Sequence, residues 1–206
     1  MLSYNFLYKL CVVSFYNNKN THMKNLNKLF LIVFSLIMSV SIHSQNGLNI
    51  SESTLSWEGK KITGSGHNGS LQFQDSNVII ENGKITSGVF SVDMTSLTCD
   101  DLTGKGKKSL EGHLRSEDFF AVDKYNTASL IVTKVANNIA SGILTIKDIS
   151  HPINFSLKKS DDGYTADLVF DRSKYDVKYA SGSFFKNLGD KLILNEIELS
   201  AKLKFN

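Results

Sequence analysis

The sequence predicts an all-β protein, a single antiparallel β-barrel of about eight strands, on three observations. Apolar and polar residues alternate along many short segments, turn residues separate these segments, and the 206 residues include one proline. Alternation with a period of two gives each strand one apolar and one polar face. Such strands are typical of antiparallel sheets, because strands of parallel sheets are buried on both faces.

The last segment shows the alternation most clearly. Ile197, Leu199, Ala201, Leu203 and Phe205 share one face of a strand, and the residues between them are polar or charged. The pattern also occurs at 90–94 and 153–158, and further strands are predicted at 71–73, 78–80, 85, 130–132, 143–146, 164–170 and 192–194. Turns are predicted at 81–83, 137–138, 161–163 and 188–190, which are rich in Asn, Asp and Gly.

About eight strands of this kind fit either a sandwich or a closed barrel, and the period does not separate the two. The last strand favours the barrel, because a long amphipathic strand left at a sheet edge invites aggregation. A barrel of this size is either filled by its own side chains or holds one small ligand. Residues 99–112 are polar and rich in Gly and Lys, so a loop or a short helical turn is predicted near 99–120.

The first 44 residues are predicted to be a leader, and residues 45–206 a single domain. Residues 1–22 are predicted to be either an extended leader or a segment upstream of the true start at Met23, and residues 23–44 a signal peptide with Lys24 and Lys28 before an apolar run at 29–42. That run is shorter than the roughly 20 residues that span a bilayer. We therefore expect export to the periplasm or secretion after cleavage.

The charge and the cysteine content of residues 45–206 give no indication of nucleic-acid binding or of an internal disulfide. Four of the 23 basic residues and none of the 20 acidic residues lie in the first 44 positions, which leaves 19 against 20 and a net charge of about −1. Nothing in this balance indicates nucleic-acid binding. Cys99 is the one cysteine after the leader, so no internal disulfide is expected.

Residues 113–120 combine charge and aromatic surface, and we predict a corner between strands there. The adjacent rings of Phe119 and Phe120 point to opposite faces of any regular strand, so at least one needs a pocket, a turn or a ligand. Ser116 is predicted to cap the amides that follow it.

Arg115 and Arg172 are the two arginines after the leader. A guanidinium binds a phosphate or a carboxylate through two hydrogen bonds. The alternative, which we favour, is an internal ion pair with Asp93, Asp118 or Asp171, because buried charges are normally paired.

Six segments in order resemble the YceI-like domain family. They are WEGKKITG at 57–64, DMTSL at 93–97, HLRSEDFF at 113–120, GILTIK with SHPI at 142–153, DRSKY at 171–175, and 179–185. The resemblance covers about 56–205. It implies an exported bacterial lipocalin-like barrel whose apolar cavity binds a polyisoprenoid or a similar long lipid.

Candidate ligand-binding residues follow from the strand pattern and this resemblance. The candidates for the lipid tail that are alternatively ordinary core packing are Phe73, Phe90, Met94, Phe155, Phe170, Tyr175 and Phe184. Phe119 and Phe120 are further candidates for the cavity wall, and alternatively they close one end of the barrel. Arg115 and Arg172 are candidates for a polar headgroup. No cofactor is expected beyond a bound isoprenoid.

Other classes of function have weaker support. His67, His113 and His151 lie far apart without metal-ligand spacing, so no metal site is predicted. No nucleophile elbow occurs and no element fixes a pair of carboxylates, so an enzyme is disfavoured. A lipid carrier, a hydrolase or isomerase, and a filled barrel acting as an interaction module stay open, as do transient contact with a membrane and a homodimer.

Overall fold

The computed structural model describes residues 45–206, and the predicted leader lies outside the described residues. The elements in chain order are β1 (Gln45–Asn46), β2 (Thr54–Lys61), β3 (Gly66–Glu81), β4 (Lys84–Cys99), α1 (Gly104–Arg115), β5 (Thr127–Ala136), β6 (Ile139–Ile146), β7 (Ile149–Ser160), β8 (Gly163–Asp171) and β9 (Ile193–Leu203). Two short 3-10 helices, Arg172–Tyr175 and Gly189–Lys191, lie between β8 and β9.

Strands β2 to β9 form a closed antiparallel barrel. Each pairs with the next along the chain, and β9 also pairs with β2. Leu199 of β9 therefore lies opposite Leu168 of β8 on one side and Trp57 of β2 on the other. The short β1 adds to β3. The predicted barrel is confirmed over the sandwich, and the long last strand is paired along both of its edges.

The alternation predicted for the last strand places its apolar residues inside the barrel. Ile197 and Leu203 are buried, and Leu199, Ala201 and Phe205 pack against the core. Core residues from all eight barrel strands meet in this interior. The alternation of apolar and polar residues thus determines which side chains form the inner surface of the barrel.

Two predicted turns are confirmed by their backbone angles. Asn82 and Gly83 join β3 to β4 with φ values of 51° and 69°, and Asn137 and Asn138 join β5 to β6 with 53° and 63°. Tight hairpins of this twist need positive φ at both central residues, which Asn and Gly tolerate best. The turns therefore fix the register of the strands that they join.

Helix α1 is longer than the short helical turn or loop predicted for this region. It has 12 residues and buries Leu114, and Leu110 packs against the core. Ser116 does not begin a helix; it ends α1, and its Oγ donates a hydrogen bond to the carbonyl of His113 at 2.7 Å. Tertiary packing has overridden the weak helical propensity of the three glycines of α1.

Within residues 45–206, no helix has the length and apolar character needed to cross a membrane.

Candidate ligand-binding site

An apolar cavity of about 120 Å³ lies inside the barrel. All eight barrel strands contribute lining residues, which are Leu55, Leu71, Phe73, Phe90, Val92, Met94, Ala128, Ser129, Leu130, Val132, Leu144, Ile146, Phe155, Leu157, Ala166, Leu168, Phe170, Leu199, Ala201 and Leu203. One water needs roughly 10–15 Å³ and several polar partners. Apart from Ser129, the lining residues have apolar side chains, so the cavity suits hydrocarbon better than water.

Small residues in the middle of the barrel wall help to leave this space open. Ala166 of β8 lies opposite Ala201 of β9, with Leu157 of β7 and Leu55 of β2 on either side of the pair. All four side chains line the cavity. An alanine fills less of the interior than the leucines beside it, and interiors are otherwise closely packed.

Five of the predicted tail-binding residues line the cavity. They are Phe73, Phe90, Met94, Phe155 and Phe170. The ring centroids of Phe73 and Phe90 are 6.3 Å apart, so these rings also pack on each other. The structure brings these five residues together, and their contact with a ligand stays a prediction.

Phe119 and Phe120 are both buried, in the turn that follows α1, and neither belongs to the cavity lining. Their ring centroids are 5.3 Å apart. The imidazole of His113 lies 5.5 Å from the Phe119 ring and 4.3 Å from that of Tyr179. We call these four residues the aromatic cluster.

Arg115 lies at the end of α1, within five positions of His113, Phe119 and Phe120 of the aromatic cluster. Its Nη2 donates a hydrogen bond to the carbonyl of Leu97. Its Nε and the Nε2 of His113 are buried, and neither has a hydrogen-bond partner among the described residues. Buried polar atoms in native proteins normally have a partner, so these two are conspicuous.

Arg172 has no exposed surface, and backbone carbonyls bind its guanidinium. Nε donates to Leu194 at 3.0 Å, Nη1 to Val177 at 3.1 Å and Nη2 to Ile193 at 3.0 Å. Burial lowers the pKa of Arg172, and the charge of Asp171 partly opposes that shift. Within residues 45–206, neither arginine forms the predicted ion pair with a carboxylate; backbone carbonyls accept its hydrogen bonds instead.

Tyr175 and Phe184 differ in their surroundings. Tyr175 is buried, and its ring lies 5.6 Å from Phe170, a residue that lines the cavity. Phe184 is 44% exposed, outside the cavity lining, with the Nζ of Lys178 5.7 Å from its ring. Tyr175 therefore supports the wall, whereas Phe184 faces outward.

Most of the lining is aliphatic, and none of these aliphatic residues is among the site candidates predicted from the sequence. The alternation in the last strand already placed Leu199, Ala201 and Leu203 on the inner face, so the signal was present. Aromatic residues stand out in a sequence because each contributes a large apolar surface. Alanines do not stand out, because they contribute to a cavity by leaving space.

A closed antiparallel barrel with an apolar interior belongs to the class of small barrels that are able to enclose one ligand. Residues 47–205 match the model of the YceI-like domain, and the chain therefore belongs to that family. The search of curated proteins found no match.

Two solved structures are similar in fold. BcnA of Burkholderia cenocepacia is 20% identical, with a TM-score of 0.57 over 76% of this chain and 98% of BcnA. A polyisoprenoid binding domain from Saccharophagus degradans, implicated in plant cell wall breakdown, is 14% identical, with a TM-score of 0.53 over 78% of this chain and 97% of that domain. At such identities the likeness shows the fold alone.

Proposed function

We propose that this protein holds a long-chain isoprenoid, polyprenyl or quinone-like, in the barrel interior. The observation that carries the proposal is the cavity, whose lining is apolar along all eight strands. Membership of the YceI-like family and the likeness to a polyisoprenoid binding domain support it. We further propose that the protein acts after export, in the periplasm or outside the cell, in transport, storage or an envelope stress response.

The tail is proposed to supply the binding energy. Each buried CH₂ group contributes roughly 0.8 kcal/mol. Association costs an estimated 4–15 kcal/mol, so about ten carbons barely suffice for tight binding, whereas several isoprene units exceed the cost. The affinity is therefore expected to rise with chain length, through contacts with Phe73, Phe90, Met94, Phe155 and Phe170. A cavity of about 120 Å³ is close to the size that holds benzene, so the proposal includes movement of the inner side chains to admit a longer chain.

The polar headgroup is proposed to interact with Arg115 more than with Arg172. The Nε of Arg115 has no partner among the described residues, and the buried rings of Phe119 and Phe120 follow closely in the chain. Arg172 already donates to three carbonyls, so in this proposal it holds the end of β8 in place. A phosphate or a carboxylate is the headgroup chemistry that Arg115 would recognise.

Native mass spectrometry of the protein purified from its own envelope, followed by extraction of any bound molecule, tests the proposal. We expect one prenyl lipid per chain, and tighter uptake of long than of short prenyl chains added to the delipidated protein. A protein that is purified without a bound lipid and takes up neither long nor short prenyl chains would overturn the proposal and favour a filled barrel that works through its surface.

A matched pair of variants locates the bound lipid. Phe90 lines the cavity and is 5% exposed, whereas Phe184 lies outside the lining. Phe90→Ala is expected to weaken the retention of a long prenyl chain, and Phe184→Ala to leave it unchanged. Equal effects of the two substitutions would place the lipid elsewhere.

A further inference from the structure

Three side chains with metal-binding atoms meet near the start of α1, outside the cavity lining. His67 lies in β3, Cys99 ends β4, and Asp101 follows Cys99 by two residues. The Nδ1 of His67 is 2.8 Å from Oδ2 of Asp101, and the Sγ of Cys99 donates to Oδ1 of Asp101 at 3.1 Å. The ligand atoms of the three residues all lie within 4.8 Å of one another.

The backbone holds this cluster in place. Cys99 pairs with Gly69 in the β3–β4 ladder, and its amide donates to Oε1 of Glu111 in α1 at 2.9 Å. The amide of Asn68 donates to Oδ1 of Asp101 at 3.1 Å. The three donors are therefore positioned by two strands and a helix rather than by a loop alone.

The arrangement does not suit nucleophilic catalysis. Burial raises the pKa of the Cys99 thiol, and its hydrogen bond to Asp101 raises it further. A reactive cysteine needs a lowered pKa and a neighbouring base. Here the carboxylate of Asp101 lies between the thiol of Cys99 and the imidazole of His67. The thiol therefore donates its hydrogen bond to Asp101, and the imidazole is not placed to remove the proton of the thiol.

Ordinary core packing does not explain the cluster either. Cys99 is fully buried, and buried cysteines usually behave as small hydrophobic residues. This thiol contacts a carboxylate instead, beside an imidazole. The side chains of His67 and Asp101 are 39% and 28% exposed, which gives an ion from solvent a path to the buried sulfur.

We propose that His67, Cys99 and Asp101 bind a zinc ion, with a water molecule at the fourth position. Sulfur, imidazole nitrogen and carboxylate oxygen are the three ligand types that Zn²⁺ uses, at about 2.0–2.3 Å. Ligand atoms at the corners of such a tetrahedron lie about 3.3–3.7 Å apart. Oδ2 of Asp101 and Nδ1 of His67, now 2.8 Å apart, need to separate by a fraction of an ångström. The most distant pair of ligand atoms, at most 4.8 Å apart, needs to move closer by about 1 Å.

The protons balance in a simple way. Cys99 binds as the thiolate and releases its proton to solvent. Without the ion, Nδ1 of His67 donates its hydrogen to Oδ2 of Asp101. When Nδ1 binds the ion, that proton moves to Nε2 of a neutral imidazole, or leaves to solvent if Nε2 already carries one. Asp101 binds as the carboxylate. Each ion is thus expected to release at least one proton, that of Cys99, and no oxidant or reductant takes part.

Titration of the purified, chelator-treated protein with Zn²⁺ alone and with Co²⁺ alone tests this site. We expect one ion per chain, release of at least one proton, an increase in melting temperature, and a thiolate-to-cobalt charge-transfer absorption. The increase follows from binding to the folded state. A wild-type protein that takes up neither ion would overturn the proposal.

Ligand variants identify the residues involved. His67→Gln and Cys99→Ser each remove a metal ligand, and each is expected to weaken zinc binding by more than about 10-fold. Loss of a residue that only orients a ligand already weakens metal binding by about 10–100-fold. His151→Gln is the matched control, because its imidazole contacts the carbonyl of Lys174 instead. If Cys99→Ser does not fold, His67→Gln decides the test; full affinity in that variant would overturn the proposal.

Discussion

The guanidinium of Arg172 has no exposed surface and donates to the carbonyls of Val177, Ile193 and Leu194. It ties the end of β8 and the following 3-10 helix to the start of β9. Methionine has similar length and no donor, so Arg172→Met leaves these carbonyls without their partner. An unsatisfied buried polar group costs about 1–3 kcal/mol, and we expect a loss of about 3 kcal/mol in the free energy of unfolding.

Urea unfolding of Arg172→Met and of Lys174→Met measures this loss. Lys174 is an exposed cation in the same 3-10 helix, and its substitution is expected to change stability by less than about 0.5 kcal/mol. Equal stability of Arg172→Met and the wild type would show that the carbonyls find other partners.

Tyr175 makes stability depend on alkaline pH. Burial raises the pKa of its phenol, and the charge of Asp171 raises it further. The folded state thus holds its proton more tightly than the unfolded state, in which the pKa is about 10. This contribution is fully present below about pH 10 and is lost as the pH rises through the folded-state pKa.

Tyr175→Phe keeps the ring that packs on Phe170 and removes the ionisable group. We expect the variant to lose less stability than the wild type when the pH rises above about 10. Tyr179→Phe is the control, because Tyr179 is 45% exposed. Denaturation midpoints at several pH values measure the slopes, and parallel curves for the wild type and Tyr175→Phe would contradict the expectation.

At the scale of elements, most barrel strands are predictable from the sequence, whereas strand β2 (Thr54–Lys61), for which no strand was predicted, and helix α1 are not. Every barrel strand has the barrel interior on one side, which imposes the same period of two from Phe90 to Leu203. Helix α1 touches the core through Leu110 and Leu114, too few residues to show a helical period. Its three glycines and its lysines are typical of a loop. The packing that stabilises the helix comes from distant parts of the chain, so the local sequence does not indicate it.

Two glycines of α1 are expected to respond in opposite directions to alanine. Gly112 has nothing within 4 Å of an added Cβ, and alanine favours a helix by about 0.8–1.0 kcal/mol over glycine. Gly104 has φ of 57°, where a side chain costs roughly 1–2 kcal/mol. Thermal unfolding should show that Gly112→Ala stabilises and Gly104→Ala destabilises; a shift in the same direction for both would mean that backbone conformation does not decide the effect.

At the scale of the whole molecule, the sites depend on strand register, which the sequence does not display. The cavity is left open where Ala166 meets Ala201, two residues 35 positions apart that pair only in the folded sheet. His67 and Asp101 are 34 positions apart and meet because β3 and β4 form one long hairpin. The residues that adjoin these four positions in the sequence do not indicate either contact.

Filling the cavity separates a lipid carrier from a filled barrel. Ala201→Leu adds three carbons to the interior, and burial of these carbons is worth up to about 2 kcal/mol if the space is empty. A barrel that is already full would instead lose about 1–3 kcal/mol through overpacking. For a carrier we therefore expect Ala201→Leu to keep or gain stability and to retain less prenyl lipid.

Stability and ligand binding then change in opposite directions, which simple damage to the fold does not produce. Ala136→Leu is the control, since Ala136 is exposed at the end of β5 and lies outside the cavity lining. Urea midpoints of the delipidated proteins and native mass spectra after incubation with a long prenyl chain give the two readouts. Destabilisation of Ala201→Leu with undiminished lipid uptake would place the ligand outside the barrel, because the added leucine occupies the space that the tail is proposed to fill.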